Sequence, residues 1–596
     1  LQQLGDGGGV DSGQAVLNFV FGNRSGPAGR PVSMISFLLD GQDWPAPAGR
    51  FKYNNLMIHL LCGLLIGWLS LLLFQSIKVR DSAAQILALF VAALWLLHPL
   101  NVSTTLYVVQ RMTQLMTLFS LAALVFYVKG RLVIQHQPGK GLLMMSLSLC
   151  PFGLLAVLSK ENGALLLVAI AALEVTVFAN SVRSKMHRLW LAGGVLVPLL
   201  VVVGYLTINF GRLTANYQFR AFSLVERLLT ESRIIIDYLF NVFVPVTGNF
   251  GLYRDDVVVS QGLFDPITTL LSCLTVAVLL AVATWRRSKQ PMFSFAVFWF
   301  FGWHLLESTF LPLELYFEHR NYIAMFGPLL ATVFYINWFV ENHGSQLLKR
   351  AAQVAAGLLL VLITVLTLQL TSLWGNSFAL QAHWAERHPT SYRAQAEYAF
   401  LLAGFGEPAE GYQRIAAIQQ YYPDEIALQL QRWNFACSNG FTAPFALDEI
   451  ASDLAQEYYK ADLTGELGIF LENLIAGRCE YPAQQQILAL MNRLSEVPMR
   501  NFERSGFHLL YSDLYVHYRQ LNPALIELRN AFEVRPDAQY PIRQAIISAS
   551  AGNYQDSLIF LQRAREADGN RRSFVESRID EIEAMEQDLK ARLDSN

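Results

Sequence analysis

The 596 residues are 53% hydrophobic and 15% charged, with 45 Lys and Arg against 47 Asp and Glu. A formal net charge of −2 leaves no basic surplus for nucleic acid, and the apolar excess excludes an ordinary soluble domain. The average conceals a division: residues 56–373 are dominated by apolar runs, whereas 374–596 read as a charge-rich helical domain.

Residues 1–55 come before the first run and read as an extracytoplasmic loop. Such a loop needs a span before it, and the chain begins at Leu1, so a preceding span is expected upstream of this sequence. From residue 56 about ten apolar segments follow, each near the ~20 residues that cross a hydrocarbon core. They lie at 56–75, 83–98, 113–128, 142–158, 163–179, 189–208, 266–284, 293–311, 322–340 and 351–373. Charge sets their direction. Lys78 and Arg80, then Lys129, Arg131 and Lys140, then Arg183, Lys185 and Arg188, then Arg286, Arg287 and Lys289, then Lys349 and Arg350 fill every second break. Basic residues accumulate in cytoplasmic loops, so this alternation puts both ends of the sequence outside the cytoplasm. The stretch 224–246 rivals a span in hydrophobicity. Its Arg227, Glu231, Arg233, Asp237 and Asn241 recur at helical spacing, which suits a helix lying in the membrane interface within a large outer loop at 209–265.

Residues 374–596 alternate short amphipathic segments with turn residues. In 540–569, Ala545, Ala549, Gly552, Tyr554 and Ala564 are spaced as in a tetratricopeptide repeat. Small residues there let two helices approach, and the tyrosine fills the gap between them. Segments 389–424 and 506–536 carry looser copies, and the period is irregular from 430 to 500, so the region reads as a degenerate helical solenoid. Such a solenoid binds a polypeptide or serves as a packing module. Cys62, Cys150 and Cys273 fall inside spans and read as small apolar residues. Cys437 and Cys479 fall in the repeat region, on the oxidising side, where a disulfide between them is one of two open outcomes.

Polar residues at the outer ends of the spans are of a different kind. His59 lies inside the first span; His98, Asn101 and Arg111 lie in HPLNVSTTLYVVQRM; Lys160 and Glu161 make the connection LSKENG. His304 and Glu307 are followed by Glu314, Glu318, His319 and Arg320 in LPLELYFEHRNY, and Arg254, Asp255 and Asp256 lie in the 209–265 loop. Singly, each reads equally as a snorkelling cation or a solvated carboxylate. Together they suit an anionic lipid headgroup and acid–base chemistry. Arg and Lys would hold phosphate, and a carboxylate would take a hydroxyl proton. Glu174, deeper in its span, reads as an internal hydrogen-bonding partner. No His or acid spacing is diagnostic of a metal site, and a divalent metal stays open.

Five segments occur in a telling order: GRPVSMISFLLD (29–40), KYNNLMIHLLCGLL (52–65), HPLNVSTTLYVVQRMTQLMTLF (98–119), LSKENGALLL (158–167) and FEHRNYIAMFGPLLA (317–331). They resemble the bacterial relatives of the transmembrane and tetratricopeptide-repeat-containing O-mannosyltransferases, which are GT-C-type glycosyltransferases. The resemblance implies an all-α chain, with a polytopic GT-C-like membrane domain at 56–373 and a periplasmic repeat domain at 374–596, in a bacterial inner membrane. It implies a polyprenyl-phosphate-linked sugar as donor and a polypeptide hydroxyl as acceptor. Carried over position by position, it suggests Glu161 and Glu318 as catalytic carboxylates. It likewise suggests Arg30, Arg111, Lys160, His319 and Arg320 as donor-phosphate ligands. The family's acidic pair in the first outer loop would fall before Leu1; Asp6 and Asp11 are the acids nearest that place and do not form a pair. Two rival functions remain at this point. One is an O-oligosaccharyltransferase or O-antigen ligase using a diphosphate-linked glycan; the other is a non-enzymatic, membrane-anchored repeat scaffold. A transporter fits less well, because no Gly/Pro-broken helix pair recurs in two halves.

Overall fold

A computed structural model describes residues 12–22, 26, 29–41, 46–423, 425–442, 444, 450, 461–478, 484–571 and 577–594. Among these residues the regular elements are all helical. The chain divides into two compact units: residues 1–216 with 222–383, and residues 217–221 with 384–596. Asp6 and Asp11 lie outside the described residues.

The first unit is an apolar helical bundle. Six of its helices are long and apolar enough to cross a membrane: Ala48–Ser76, Val108–Val133, Pro138–Ser159, Lys185–Ile208, Thr268–Arg286 and Gln346–Trp374. A pair bent by 50°, Glu318–Ala324 with Phe326–His343, brings the number to as many as 7. The segments expected at 83–98, 163–179 and 293–311 form shorter helices: Asp81–Leu96, Leu166–Val175 and Pro291–His304, of 16, 10 and 14 residues. Protein packing rather than length accounts for their apolar content. Trp95 on the first and Trp299 on the third are fully buried. Their indole N–H groups donate to the Tyr322 carbonyl (2.8 Å) and the Ile323 carbonyl (2.9 Å). These two bonds pin the backbone beside the 50° bend. Gly327 is required just past it, because a Cβ there would sit 2.9 Å from Trp299.

Three of the five basic loops meet at one end of this bundle. Arg131 and Arg183 both pair with Glu174, at 2.9 and 2.7 Å, and the Tyr127 hydroxyl donates to the same carboxylate (2.9 Å). Asn180 donates to the Ser288 carbonyl (3.4 Å), joining a third basic loop. Glu174 is thus an internal acceptor, the role its depth in the apolar run suggests.

At the other end, the helix Pro31–Leu38 is fastened to the bundle by Arg111. That guanidinium is 1% exposed and forms an ion pair with Asp40, itself fully buried. It also donates to the Asn55 side chain (2.7 Å) and to the carbonyls of Ser36 and Phe51 (both 3.0 Å). Phe37 and Phe51 flank it, with ring centroids 4.7 and 5.7 Å away. A buried charge needs a full set of partners, and this one has it.

The second unit is built of helical hairpins. The three sequence segments read as repeats form Tyr392–Gly404 with Pro408–Gln419, Asn501–His517 with Leu521–Val534, and Gln539–Ser550 with Tyr554–Gly569. Each helix packs mainly on its neighbours in sequence, the pattern of a solenoid. Gly406 and Gly552 turn two of the hairpins at φ +92° and +80°, where only glycine is unstrained. Ala545 and Ala564 are fully buried on Gln539–Ser550 and Tyr554–Gly569, and the Ser557 hydroxyl donates to the Ala545 carbonyl (2.8 Å). Cys437 is buried and disulfide-bonded; Cys479, its expected partner, lies outside the described residues.

Gly411 marks the tightest helix approach in the first hairpin, since a Cβ there would meet the Ala399 carbonyl at 2.6 Å. Gly411→Val is therefore expected to destabilise the repeat unit by about 1–3 kcal/mol. Thermal unfolding of the full chain, followed by circular dichroism, should show an earlier transition; an unchanged profile would refute the close approach.

Candidate functional site

At the end of the bundle that holds Arg111, a line of charges runs from the surface into the interior. It begins at Arg30 and Glu161, which pair at 2.9 Å and retain 21% and 29% side-chain exposure. Arg30 takes a left-handed conformation (φ 49°) immediately before the Pro31–Leu38 helix. Glycine at 26, with φ +122°, lets the backbone pass so close that any Cβ would collide with the Glu161 carboxylate.

The next charge is Lys160, which follows the helix that ends at Ser159. A 3-10 turn, Glu161–Leu165, reverses the chain there, and Gly163 presses on the Ala156 backbone with no room for a side chain. The turn drives the Lys160 ammonium inward. It donates to the Thr113 hydroxyl (3.1 Å) and pairs with Glu307 at 2.7 Å, and both charged side chains are at most 10% exposed. Glu307 also lies 3.8 Å from the Arg320 guanidinium, which in turn pairs with Glu231 at 3.3 Å. The line ends at Arg227, 2.8 Å from Glu231 and fully buried. Arg227 donates to the backbone carbonyls of Glu307 (2.7 Å), Thr309 (2.8 Å) and Leu313.

Four cations thus interleave with three carboxylates, leaving one formal positive charge. Glu161 Oε1 and Arg320 Nε are buried and make no hydrogen bond among the described residues. Buried polar atoms normally have partners, so these two mark places where a polar ligand or water would be accepted.

Of the residues singled out in the sequence, Arg30, Lys160, Glu161 and Arg320 come together in this line, and His319 lies among them. Arg111 is held apart, with its donors committed to Asp40, Asn55, Ser36 and Phe51. Glu318 also faces elsewhere: it accepts the Gly251 N–H at 2.6 Å and makes no ion pair with the line. Glu307, named among the polar residues at the outer ends but not among those carried over from the resemblance, joins the line, and two further partners, Glu231 and Arg227, were read from the sequence only as part of an interfacial helix. Arg227 and Glu231 carry a legible signal, an i, i+4 opposite-charge pair on the amphipathic helix Leu224–Phe243. Asp40, inside the FLLD of the first motif, has none. Among the described residues no group of three or more His, Cys, Asp or Glu side chains is placed to hold a metal ion.

The second unit has a cleft of about 780 Å³ along the first helices of its last hairpins. Phe502, Leu509 and Tyr540 supply apolar surface, and Arg535, Asp537 and Arg578 supply charge.

No family model and no curated protein matches this chain. A chain in the crystal structure of the APC/C hetero-tetramer Cut9–Hcn1 aligns with 82% of this chain and 98% of its own length, at 13% identity and a TM-score of 0.22. At that score the likeness carries no argument.

Glu307 is the carboxylate paired with the buried Lys160, so removing it leaves that ammonium with the Thr113 hydroxyl, whereas Arg320 keeps Glu231. Glu307→Ala is expected to cost about 3–5 kcal/mol, read as a lower Tm of the full protein in detergent. The double change Lys160→Met with Glu307→Leu should recover much of that loss. Equal loss in the single and double variants would show that the pair is not the coupling.

Proposed function

We propose that this chain is an integral membrane glycosyltransferase of the GT-C type. It would take a sugar from a polyprenyl-phosphate donor and pass it to a hydroxyl on the periplasmic side of a bacterial inner membrane. The observation that carries this reading is convergence. Segments far apart in sequence, and quoted above for their resemblance, meet at one end of the bundle through Arg30–Glu161, Arg111–Asp40, Arg111–Asn55, Lys160–Thr113 and Ser33–Ser159. His59 and Gln114 both contact the Tyr322 hydroxyl (2.7 and 3.4 Å), adding the last segment to the same region.

The chemistry follows from what each group has left to offer. Lys160, Arg320 and Arg30 would meet the donor phosphate, with Arg320 Nε among the uncommitted donors. Arg111 fits better as the residue that fixes the wall of the pocket. Glu161, the most accessible carboxylate of the line, would take the proton of the acceptor hydroxyl as it attacks the sugar's anomeric carbon and the lipid phosphate departs. Glu318 remains a second carboxylate for that task, turned at present toward Gly251. The cleft near Phe502 offers the repeat unit a place to hold a polypeptide acceptor.

The test uses the full-length protein in vesicles, with labelled polyprenyl-phosphate monosaccharide or polyprenyl-diphosphate oligosaccharide as donor. Transfer from the monophosphate lipid, abolished by Lys160→Ala and reduced about 10²-fold or more by Glu161→Gln, is the expected result. Transfer only from the diphosphate lipid would favour an oligosaccharyltransferase. No transfer from either, with a phenotype untouched by both substitutions, would favour the scaffold.

A further inference from the structure

The last two hairpins of the repeat unit carry two grooves whose charges are balanced differently. In the cleft beside Phe502 the cations are neutralised within the chain: Arg535 pairs with Asp537 at 2.8 Å and Arg578 with Glu581 at 3.5 Å. A second groove, of about 410 Å³, is lined instead by the second helices of the hairpins, Leu521–Val534 and Tyr554–Gly569, and by Gln544 of Gln539–Ser550. Arg529 comes from the first of these helices and Arg563 from the other, and both are exposed. Neither makes an ion pair or a hydrogen bond among the described residues.

Gln544 shows what else this groove asks for. It is 2% exposed, and its amide nitrogen donates to the Leu525 carbonyl at 2.9 Å. A carbonyl only accepts, so this bond fixes which way the amide points and leaves Oε1 as the free acceptor. That oxygen is buried and makes no hydrogen bond among the described residues. Buried acceptors are normally paired, and an N–H entering the groove would pair this one. Leu525, Ile526 and Phe560 supply apolar surface, with Ile526 47% exposed. The groove thus combines two guanidinium forks, one recessed acceptor and an aliphatic and aromatic wall. A guanidinium matches a carboxylate through two parallel hydrogen bonds. An acidic peptide answers all three features: carboxylates for the arginines, a backbone N–H for Gln544 and an apolar side chain for the wall.

We propose that this groove docks an acidic polypeptide segment, one in which Asp or Glu residues flank an apolar residue. It is distinct from the cleft beside Phe502, whose cations already have partners. Charge complementarity selects the occupant. A basic or neutral segment leaves both guanidiniums unanswered, and a bare alkyl chain leaves Gln544 Oε1 unpaired. Every residue of the groove belongs to the second unit, so the inference holds whether or not the first unit transfers a sugar.

Fluorescein-labelled short peptides, with a pair of glutamates at varied spacing around a leucine, are titrated against the full-length protein in detergent and followed by anisotropy. At least one of the set should bind, more weakly as salt rises, and its counterpart with glutamine in place of glutamate should not. Arg529→Gln with Arg563→Gln should weaken that binding about 100-fold, roughly tenfold for each charge-assisted contact removed. Both arginines are exposed, so the Tm of this variant should match that of the parent. Arg529→Lys with Arg563→Lys, which keeps the charge and loses the fork, should fall between the two. Equal binding of the glutamine and glutamate peptides, or unchanged binding by the glutamine variant, overturns the inference. So does a set in which no peptide binds. Binding of an oligogalacturonate through the same arginines, with no peptide bound, would make the groove an acidic-glycan site and likewise overturn it.

Discussion

The contact between Lys160 and Glu307 is the interaction on which the rest of the first unit turns. Bringing two opposite charges out of water costs several kcal/mol for each ion after relaxation, and their attraction returns this only when geometry is fixed in advance. Here the fixing comes from apolar structure. Gly163 reverses the chain so that Lys160 points inward, while Trp95 and Trp299 hold the backbone at Tyr322 and Ile323, close in sequence to Arg320. The bundle supplies the rigidity, and the charges supply the reason for its particular shape.

The two ends of the bundle solve the same electrostatic problem differently. At the basic end a single carboxylate, Glu174, gathers Arg131, Arg183 and Tyr127. At the other end the charges are strung out, and side-chain exposure falls from 29% at Glu161 to 2% at Glu231. One arrangement ties loops together, whereas the other presents an accessible mouth with increasingly desolvated groups behind it.

Long apolar runs such as 189–208 and 351–373 form helices long and apolar enough to cross a membrane, and hydrophobicity and length suffice to read such helices from the sequence. The shorter runs were harder. The run at 293–311 is as apolar as a span, yet its helix stops at His304, since its tryptophans are buried against protein. Hydrophobicity alone does not tell lipid from core. The charged residues were legible as a set, and Arg30, Lys160, Glu161 and Arg320 do assemble, but their partners were not. Nothing in the spacing of Asp40 and Arg111 foretells that the two meet and so remove Arg111 from the accessible line. The direction of the polar stripe on Leu224–Phe243 was hidden for the same reason: periodicity gives the angle between two faces, and only the neighbouring loop determines which one turns inward. In the repeat unit, by contrast, glycine and alanine spacing sufficed, because hairpin packing is local.

That locality has a mechanical side. Each hairpin of the repeat unit leans chiefly on the hairpins beside it in sequence, so no single central core must give way before the chain can extend. Pulled from one end, such an array yields in instalments, each releasing one hairpin while those beyond keep their interfaces. It can also lengthen or shorten by whole hairpins over evolutionary time at little cost to the remainder. The same tyrosine, alanine and glycine spacing that closes one hairpin thereby makes the unit elastic and modular, whereas a bundle organised around a buried line of charges tolerates neither change.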